Sequence, residues 1–214
     1  NPTGAVFSRE ALVGIAELCT KNDLLVLADE VYENLVYDDA EHVSIASLPG
    51  MAERTVTVSS AAKSYNCTGW KTGWAIAQPH RLDGVIKAKQ FTTFVSTTPF
   101  QPAVAHALLH EDAWLDGMVD VLNECREILV DGLKAAGFTV HGTRGTYYVV
   151  ADIASSGMNG EEFCKRLPID KGVAAIPLSA FTDNPEPWKY KVRFAFCKQP
   201  QIIREAVRRL TSEK

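Results

Sequence analysis

The sequence has little to offer metal or nucleic-acid chemistry. It contains five histidines, and His106 and His110 are the pair spaced to share a helix face. No third ligand follows them at metal-like spacing, which argues against a metal centre. The five cysteines, at positions 19, 67, 125, 164 and 197, are odd in number, scattered and without a C-x-x-C pair. They read as buried thiols of a reducing cytosol and not as a disulfide framework. Lys and Arg total 22 against 26 Asp and Glu, for a net charge of −4. That balance supplies neither a basic field for nucleic acid nor an acidic tail for a basic partner. No apolar run approaches the ~20 residues needed to cross a bilayer. No signal peptide is visible, although the first residue is Asn1. What is present, 46% apolar and 22% charged residues over 214 positions, is the composition of an ordinary soluble globular protein.

The chain reads as α/β. Asn1-Pro2-Thr3-Gly4 is a turn. Ser8 is placed to cap a helix whose apolar face is Ala11, Leu12, Ile15, Ala16 and Cys19. Leu24 to Ala28 is a continuous apolar run ending in Asp29-Glu30, which predicts a strand buried on both faces with polar residues at its carboxyl end. Arg54–Ser59 and Gly73–Ala77 predict two more strands, and the three together a small parallel sheet. Residues 81–110 predict helix broken at Pro99 and Pro102, and 112–136 a long amphipathic helix ended by Gly137. Short strands follow at Phe138–His141, Thr146–Ile153, Val173–Pro177 and Lys191–Phe196, with helices at 159–167 and 200–211. The change of texture places a domain boundary within the long helix, dividing the chain into 1–120 and 121–214. A three-strand parallel sheet leaves two raw edges, so either other chains complete the sheet or the chain is the carboxyl part of a larger protein.

The chemistry concentrates around Lys63. It stands just past a predicted strand end, with the Ser60 hydroxyl three residues before it and the Lys71 cation eight residues after. A lysine that forms a Schiff base with a phosphorylated aldehyde needs such company, since hydroxyl and cation can hold the phosphate. Alone, S-x-x-K occurs in many loops by chance. Asp29 lies at a strand carboxyl end, where open α/β sheets bind ligands, and could pair with a protonated ring nitrogen. Its own segment favours a helix cap or solvated turn acid. Tyr32 could reach the same place, or be a core aromatic with its hydroxyl exposed. Arg193 sits among Val192, Phe194 and Phe196, flanks that favour a recessed position over a surface ion pair.

Taken in order, Asn1-Pro2-Thr3-Gly4, Asp29-x-x-Tyr32, Ser60-x-x-Lys63 with Lys71, and Arg193 in Val-Arg-Phe-Ala-Phe-Cys-Lys resemble the fold-type I, class I/II aminotransferases, which use pyridoxal phosphate. The elements occur in family order, at family-like intervals, over nearly the whole chain. Within that family, Gly69-Trp70-Lys71-Thr72-Gly73-Trp74 and Pro99-Phe100-Gln101-Pro102 are most similar to the kynurenine, methionine and N-succinyldiaminopimelate aminotransferase group. Ser59-Ser60-Ala61-Ala62-Lys63 and Asn66-Cys67-Thr68-Gly69 are similar to actinobacterial succinyldiaminopimelate-type members.

The resemblance implies a role for each residue. Lys63 would hold the cofactor covalently and, once displaced by substrate, act as the base that moves the proton from Cα. Asp29 would keep the pyridine nitrogen protonated. Asn1 and Tyr32 would bond the phenolic oxygen, Ser60 and Lys71 the phosphate, and Arg193 the substrate α-carboxylate through its planar fork. Many members carry arginine where this chain has Lys71, which keeps the charge and loses the fork. The resemblance further implies amino-acid and 2-oxo-acid substrates, a cytoplasmic homodimer, and a large domain (1–120) followed by a small α+β domain (121–214). The family's glycine-rich phosphate loop and ring-stacking aromatic are not in this sequence, so the chain is expected to be the carboxyl-terminal part of a longer enzyme. Two other outcomes use the same residues: a carbon–sulfur β-lyase on this scaffold, and an aminotransferase-like effector domain of a transcription regulator with its DNA-binding head elsewhere. Pro99-Phe100-Gln101 and Gly145-Thr146-Tyr147 are candidate pocket segments, and equally a helix break and a strand start.

Overall fold

The computed structural model describes residues 1–212, which form two compact units: Val6–Val36 with Glu41–Asp116, and Asn1–Ala5 with Tyr37–Ala40 and the described residues from Gly117 onward.

In the first of these, α1 (Arg9–Lys21) starts where Ser8 Oγ accepts the Ala11 N–H at 3.2 Å, the expected cap. Its buried stripe of Leu12, Ala16 and Cys19 packs with Ile45, Leu48 and Met51, against one face of β1 (Val26–Asp29) at Val26 and Ala28. The sheet continues through β2 (Thr55–Ser60) to β3 (Gly73–Ile76), in that spatial order. A single helical turn, α2 (Ala61–Ser64), follows β2. Beyond β3 come α3 (Pro79–Thr92) and α4 (Gln101–His110). The chain leaves α3 at Thr93, earlier than Pro99 requires, through Phe94 and Thr97 in left-handed conformations.

Two expectations about this sheet are corrected. It is not all parallel: β1 and β2 run parallel, but β3 pairs antiparallel to β2. The reason is local. The link between β2 and β3 folds back on itself, with the Ala61 N–H donating to the Thr72 carbonyl at 3.1 Å, so Gly73 returns beside Ser60. Nor is β1 buried on both faces. Val26 and Ala28 face the α1 layer, while Leu25 and Leu27 are 62% and 74% exposed, because among the described residues no layer covers the second face. The continuous apolar run reports a strand built to be covered twice; this unit covers it once.

The other unit contains most of α5 (Asp112–Ala135), whose Leu122, Cys125, Leu129 and Leu133 form one buried stripe. Then come β4 (Thr139–Val140), β5 (Tyr148–Asp152), α6 (Gly160–Lys171), β6 (Ile176–Pro177), β7 (Lys191–Ala195) and α7 (Pro200–Thr211). The sheet order is β4-β5-β7-β6, antiparallel throughout. Helix α5 meets α7 at Gly132, where a Cβ would stand 2.3 Å from Val207 Cγ2. The chain start is stapled to this unit at Gly4, whose carbonyl accepts the N–H groups of Arg144 and Gly145 at 3.1 and 3.0 Å. Gly4 needs to be glycine: its φ is +74° and a Cβ would come within 3.1 Å of the Gly145 oxygen, so a side chain would be both strained and crowded.

The cysteines are all unpaired, as expected, although only Cys19 and Cys125 are buried. His106 and His110 do share a face of α4, with ring centroids 4.8 Å apart. No group of metal-ligating side chains occurs among the described residues, nor any helix long and apolar enough to cross a membrane.

Candidate active site

Five of the sequence-predicted residues fall in one unit, around the carboxyl ends of β1 and β2. The register decides which way they point. Asp29 pairs with Val58, and Ser60 lies two residues beyond Val58 on the same strand. Side chains alternate across a sheet, so Asp29, Val58 and Ser60 project from one face. It is the open face, the one that also carries exposed Leu27. Strand spacing and rise put the Asp29 and Ser60 backbones about 8 Å apart.

Ser60 ends β2 and caps α2, its Oγ accepting the Ala62 N–H at 3.4 Å. Lys63 follows within that turn, half-buried, with Nζ 6.0 Å from the centroid of the Tyr32 ring. Asp29 Oδ1 accepts the Val31 N–H at 3.2 Å, an Asx turn that starts the chain toward Tyr32. Lys71 is exposed and held in a left-handed conformation with φ 54° and ψ 33°, which disfavours a non-glycine residue by about 1–2 kcal/mol. The hold is visible: Ser96 Oγ donates to the Lys71 carbonyl at 3.0 Å, and the Thr72 and Thr97 hydroxyls bond each other at 2.8 Å. Such strain persists where its surroundings over-determine it, and it clusters at functional sites. Gly73 closes the arrangement, since a Cβ there would lie 2.6 Å from the Ser59 oxygen and 3.0 Å from Ser60 Cβ.

Beneath this edge lies a polar cluster that the sequence reading did not single out. Glu30 is buried; its carboxylate accepts from His42 Nε2 at 3.2 Å and from Ser44 Oγ at 2.8 Å. Burial raises the Glu30 pKa, but the bonds from His42 and Ser44 outweigh it, leaving the carboxyl below its usual range. The same bond raises the His42 pKa, against the opposing effect of burial. Glu33 accepts from Ser59 Oγ at 2.8 Å, yet burial prevails there and lifts its carboxyl above the usual range. Asn34 Nδ2 donates to Ser64 Oγ at 3.0 Å. In sequence these residues look like solvated loop. Only the pairing of β1 with β2 brings residues 30–34 beside 59–64.

Asn1 and Arg193 lie in the other unit, and the structure pairs them: Arg193 Nη1 donates to Asn1 Oδ1 at 2.6 Å. Arg193 is buried on β7, as its apolar flanks suggest, with its guanidinium carbon 3.8 Å from the Tyr148 ring centroid and 4.5 Å from that of Phe181. Contacts with two aromatic rings help to orient the planar fork. Tyr148 and Phe181 were not foreseen. Antiparallel pairing of β5 with β7, Tyr148 opposite Ala195, is the signal that finds the first, and it is a tertiary one. Of the suggested pocket segments, Phe100 stacks on Trp70 at 4.6 Å, and the Tyr147 ring sits 4.7 Å from that of Tyr148.

The donor set suits a phosphorylated pyridine aldehyde. One sheet face carries a carboxylate at one strand end and a hydroxyl at the next. An amine stands within the following turn, and a cation sits on the strained loop leading to β3. Comparison with known proteins gives the family. Residues 1–210 match the family model "Aminotransferase class I and II". The chain is 48% identical over 220 residues to a probable N-succinyldiaminopimelate aminotransferase of Mycobacterium tuberculosis, covering 99% of this chain and 55% of that protein. It is 34% identical over 224 residues to human kynurenine–oxoglutarate transaminase 1, covering 95% and 53%. The solved M. tuberculosis N-succinyldiaminopimelate aminotransferase superposes with a TM-score of 0.95 at 50% identity, over 99% of this chain and 55% of that one. An aspartate aminotransferase variant from Thermus thermophilus superposes at 0.88 and 28% identity, over 99% and 54%. The chain therefore spans about half the length of the curated relatives it matches, and its fold is part of the fold-type I architecture. On the match over residues 1–210, the chain belongs to the class I and II aminotransferases.

Proposed function

We infer that this chain carries the covalent lysine and the carboxylate-binding arginine of a pyridoxal-phosphate-dependent aminotransferase, acting as part of a family-length enzyme. The observation that supports this best is the shared open face of Asp29 and Ser60, with Lys63 one turn beyond. When bound, pyridoxal phosphate supplies an aldehyde for amines and a protonated ring that draws electrons from the carbon losing a proton. The chain's own residues would do the rest. Lys63 would hold the aldehyde carbon of the bound group and, once freed by an incoming amino acid, would be placed to take the proton from the substrate α-carbon. Asp29 keeps the ring nitrogen protonated. Tyr32 would bond the phenolic oxygen, a role that the family resemblance gives to Asn1 as well. Ser60 and Lys71 neutralise and orient the phosphate, Lys71 as a point charge. Arg193, which also donates to Asn1, would take the α-carboxylate with its planar fork.

The higher identity to the N-succinyldiaminopimelate relative than to the kynurenine transaminases favours an amino donor or acceptor bearing a second carboxylate at a distance. Residues 1–120 would belong to the large domain and 121–214 to the small one. The working form would be a homodimer in the cytoplasm, for which five unpaired cysteines suit a reducing compartment.

Borohydride reduction of the family-length protein with cofactor, followed by peptide mapping, should find the pyridoxyl group on Lys63. An adduct on Lys71, Lys87 or Lys89 instead would overturn the assignment. Asp29→Ala should retain cofactor through Lys63 and the phosphate contacts, yet lose turnover by orders of magnitude, since a neutral ring is a poorer electron sink. Turnover equal to the parent's would make Asp29 a turn residue only.

A further inference from the structure

We propose that Glu33 and Asn34 are positioning residues that set the placement of Lys63 by gripping the two serines on either side of the Ser60–Lys63 turn. This rests on the function proposed above for Lys63.

Three observations carry it. The first is connectivity. The residues from Asp29 to Asn34 leave β1 in a series of tight turns: the Val31 N–H bonds the Asp29 side chain, the Glu33 N–H donates to the Glu30 carbonyl at 2.9 Å, and the Leu35 N–H to the Tyr32 carbonyl at 2.9 Å. This backbone is a rigid hook and it already bears Asp29 and Tyr32. The second is the grip itself. Ser59 Oγ donates to Glu33 Oε1 at 2.8 Å, and Asn34 Nδ2 donates to Ser64 Oγ at 3.0 Å. The two serines bracket Ser60 and Lys63 in sequence. The hook therefore fastens both ends of the turn that presents the lysine. The third is burial. Ser59 is 7% exposed and Ser64 1% exposed, so water is a poor substitute partner for either hydroxyl, and a lost bond is felt as displacement or as an unpaired group.

A one-turn helix needs such support. Four residues close too few backbone bonds to hold a fixed geometry alone, and α2 has four. Its upstream end is fixed by the sheet through Ser60, and its downstream end by the Asn34–Ser64 bond. Glu33 is itself seated by the cluster below: Glu30 bonds His42 and Ser44, and the Glu30 N–H extends the β1–β2 ladder to the Val58 carbonyl at 2.9 Å. Ring-nitrogen partner, phenol-side tyrosine and covalent lysine thus hang from one hydrogen-bonded hook. A shift of the hook would move Lys63 relative to Asp29 and Tyr32, and a misplacement of ~1 Å can cost on the order of a hundredfold in rate.

The test uses the family-length protein reconstituted with pyridoxal phosphate, in the parent and in Asn34→Ala, Asn34→Asp, Ser64→Ala, Glu33→Ala and Glu33→Gln. Borohydride trapping on Lys63 in the parent comes first, because trapping elsewhere overturns the proposed function and this inference with it. Given trapping on Lys63, the readouts are the pH midpoint of the cofactor's visible absorbance, kcat and KM for one amino acid, and thermal stability. Asn34→Ala, Ser64→Ala and Glu33→Ala should each move the absorbance midpoint and lower kcat about tenfold or more, with KM nearly unchanged. Asn34→Asp, which can still accept the Ser64 hydroxyl, and Glu33→Gln, which can still accept Ser59, should restore most of the loss. Should Asn34→Ala not fold, Ser64→Ala removes the same bond from the other side. An unshifted midpoint and unchanged kcat in all three alanine variants, with only thermal stability reduced, would show that the grip is merely structural and refute the proposal.

Discussion

Removing Arg126 should loosen the segment that leads to Tyr148, and removing its partner should do more damage than removing Arg126 itself. Arg126, on α5, is buried at 8% exposure. Nη1 donates to Asp38 Oδ2 at 2.7 Å and to the Thr143 carbonyl at 2.8 Å, and Nη2 to Asp38 Oδ1 at 2.7 Å. Its guanidinium faces the Tyr37 ring at 4.9 Å, and the Tyr37 hydroxyl donates to the Thr146 carbonyl at 2.7 Å. In Arg126→Met the thioether refills much of the stem's volume, so the cavity contribution is small. The Asp38 side chain is 51% exposed and regains water, so the lost ion pair counts for at most about 1 kcal/mol. The Thr143 carbonyl, in a buried residue, loses its donor at about 1–3 kcal/mol, and the contact with Tyr37 contributes about 0.5–1 kcal/mol. The expected loss is about 1.5–5 kcal/mol.

Asp38→Ala works in the opposite direction. It strands a buried guanidinium without its counter-charge, which costs about 3–5 kcal/mol. The double variant should match Arg126→Met alone, because removing the cation removes the need for the anion. Hydrogen exchange over peptides spanning 143–152 gives the opening free energies, and urea unfolding gives the global values. There is an acid signature too. The hydrogen bond from Arg126 depresses the Asp38 pKa, so this pair stabilises above the carboxyl's unfolded value of about 3.9 and fades as pH falls through the depressed folded value. That limb should vanish in Arg126→Met. Equal losses in Asp38→Ala and Arg126→Met, adding in the double variant, would refute the account. Since Tyr148 lies against Arg193, Arg126→Met should also raise the amino-acid KM while leaving cofactor affinity unchanged.

Gly73→Ala would press a methyl against the Ser59 oxygen and Ser60 Cβ, part β3 from β2 and cost about 1–3 kcal/mol; cofactor affinity by fluorescence titration should fall with it, and an unchanged melting temperature would count against the close approach. For His42, the folded pKa is raised by Glu30, so their pairing stabilises most below the ordinary histidine value of about 6.5 and is lost as pH rises through the raised one. On the acid side it fades as pH falls through the depressed Glu30 pKa, so the parent-minus-His42→Ala difference in unfolding free energy should peak between those limits; a flat difference across pH would refute the pairing. Arg193→Lys should weaken amino-acid binding by on the order of 2–5 kcal/mol with the cofactor spectrum intact; an unchanged KM for every amino acid tested would remove Arg193 from the substrate site.

How much of this was readable before the fold was known follows from the range of each signal. Ser8 as a cap, the stripe on α5 and the helix over 200–211 are local patterns, and they appear as read. The direction of β3 was misread because it depends on how the link between β2 and β3 folds back, which the Ala61 to Thr72 bond marks and no periodicity encodes. Leu24–Ala28 was misread for the opposite reason. The run is apolar on both faces, but among the described residues only the face of Val26 and Ala28 is covered, so Leu27 beside Asp29 stays exposed. The site divides the same way. Ser60, Lys63 and Lys71 share one short segment and could be found from it. Glu33 and Asn34 reach that segment only through strand pairing, across 26 and 30 residues of chain. Chemistry-bearing residues are legible when their type is unusual for their position, as a lysine at a strand end is. The residues that aim them are ordinary loop acids and amides, and they gain meaning only from what the sheet sets beside them.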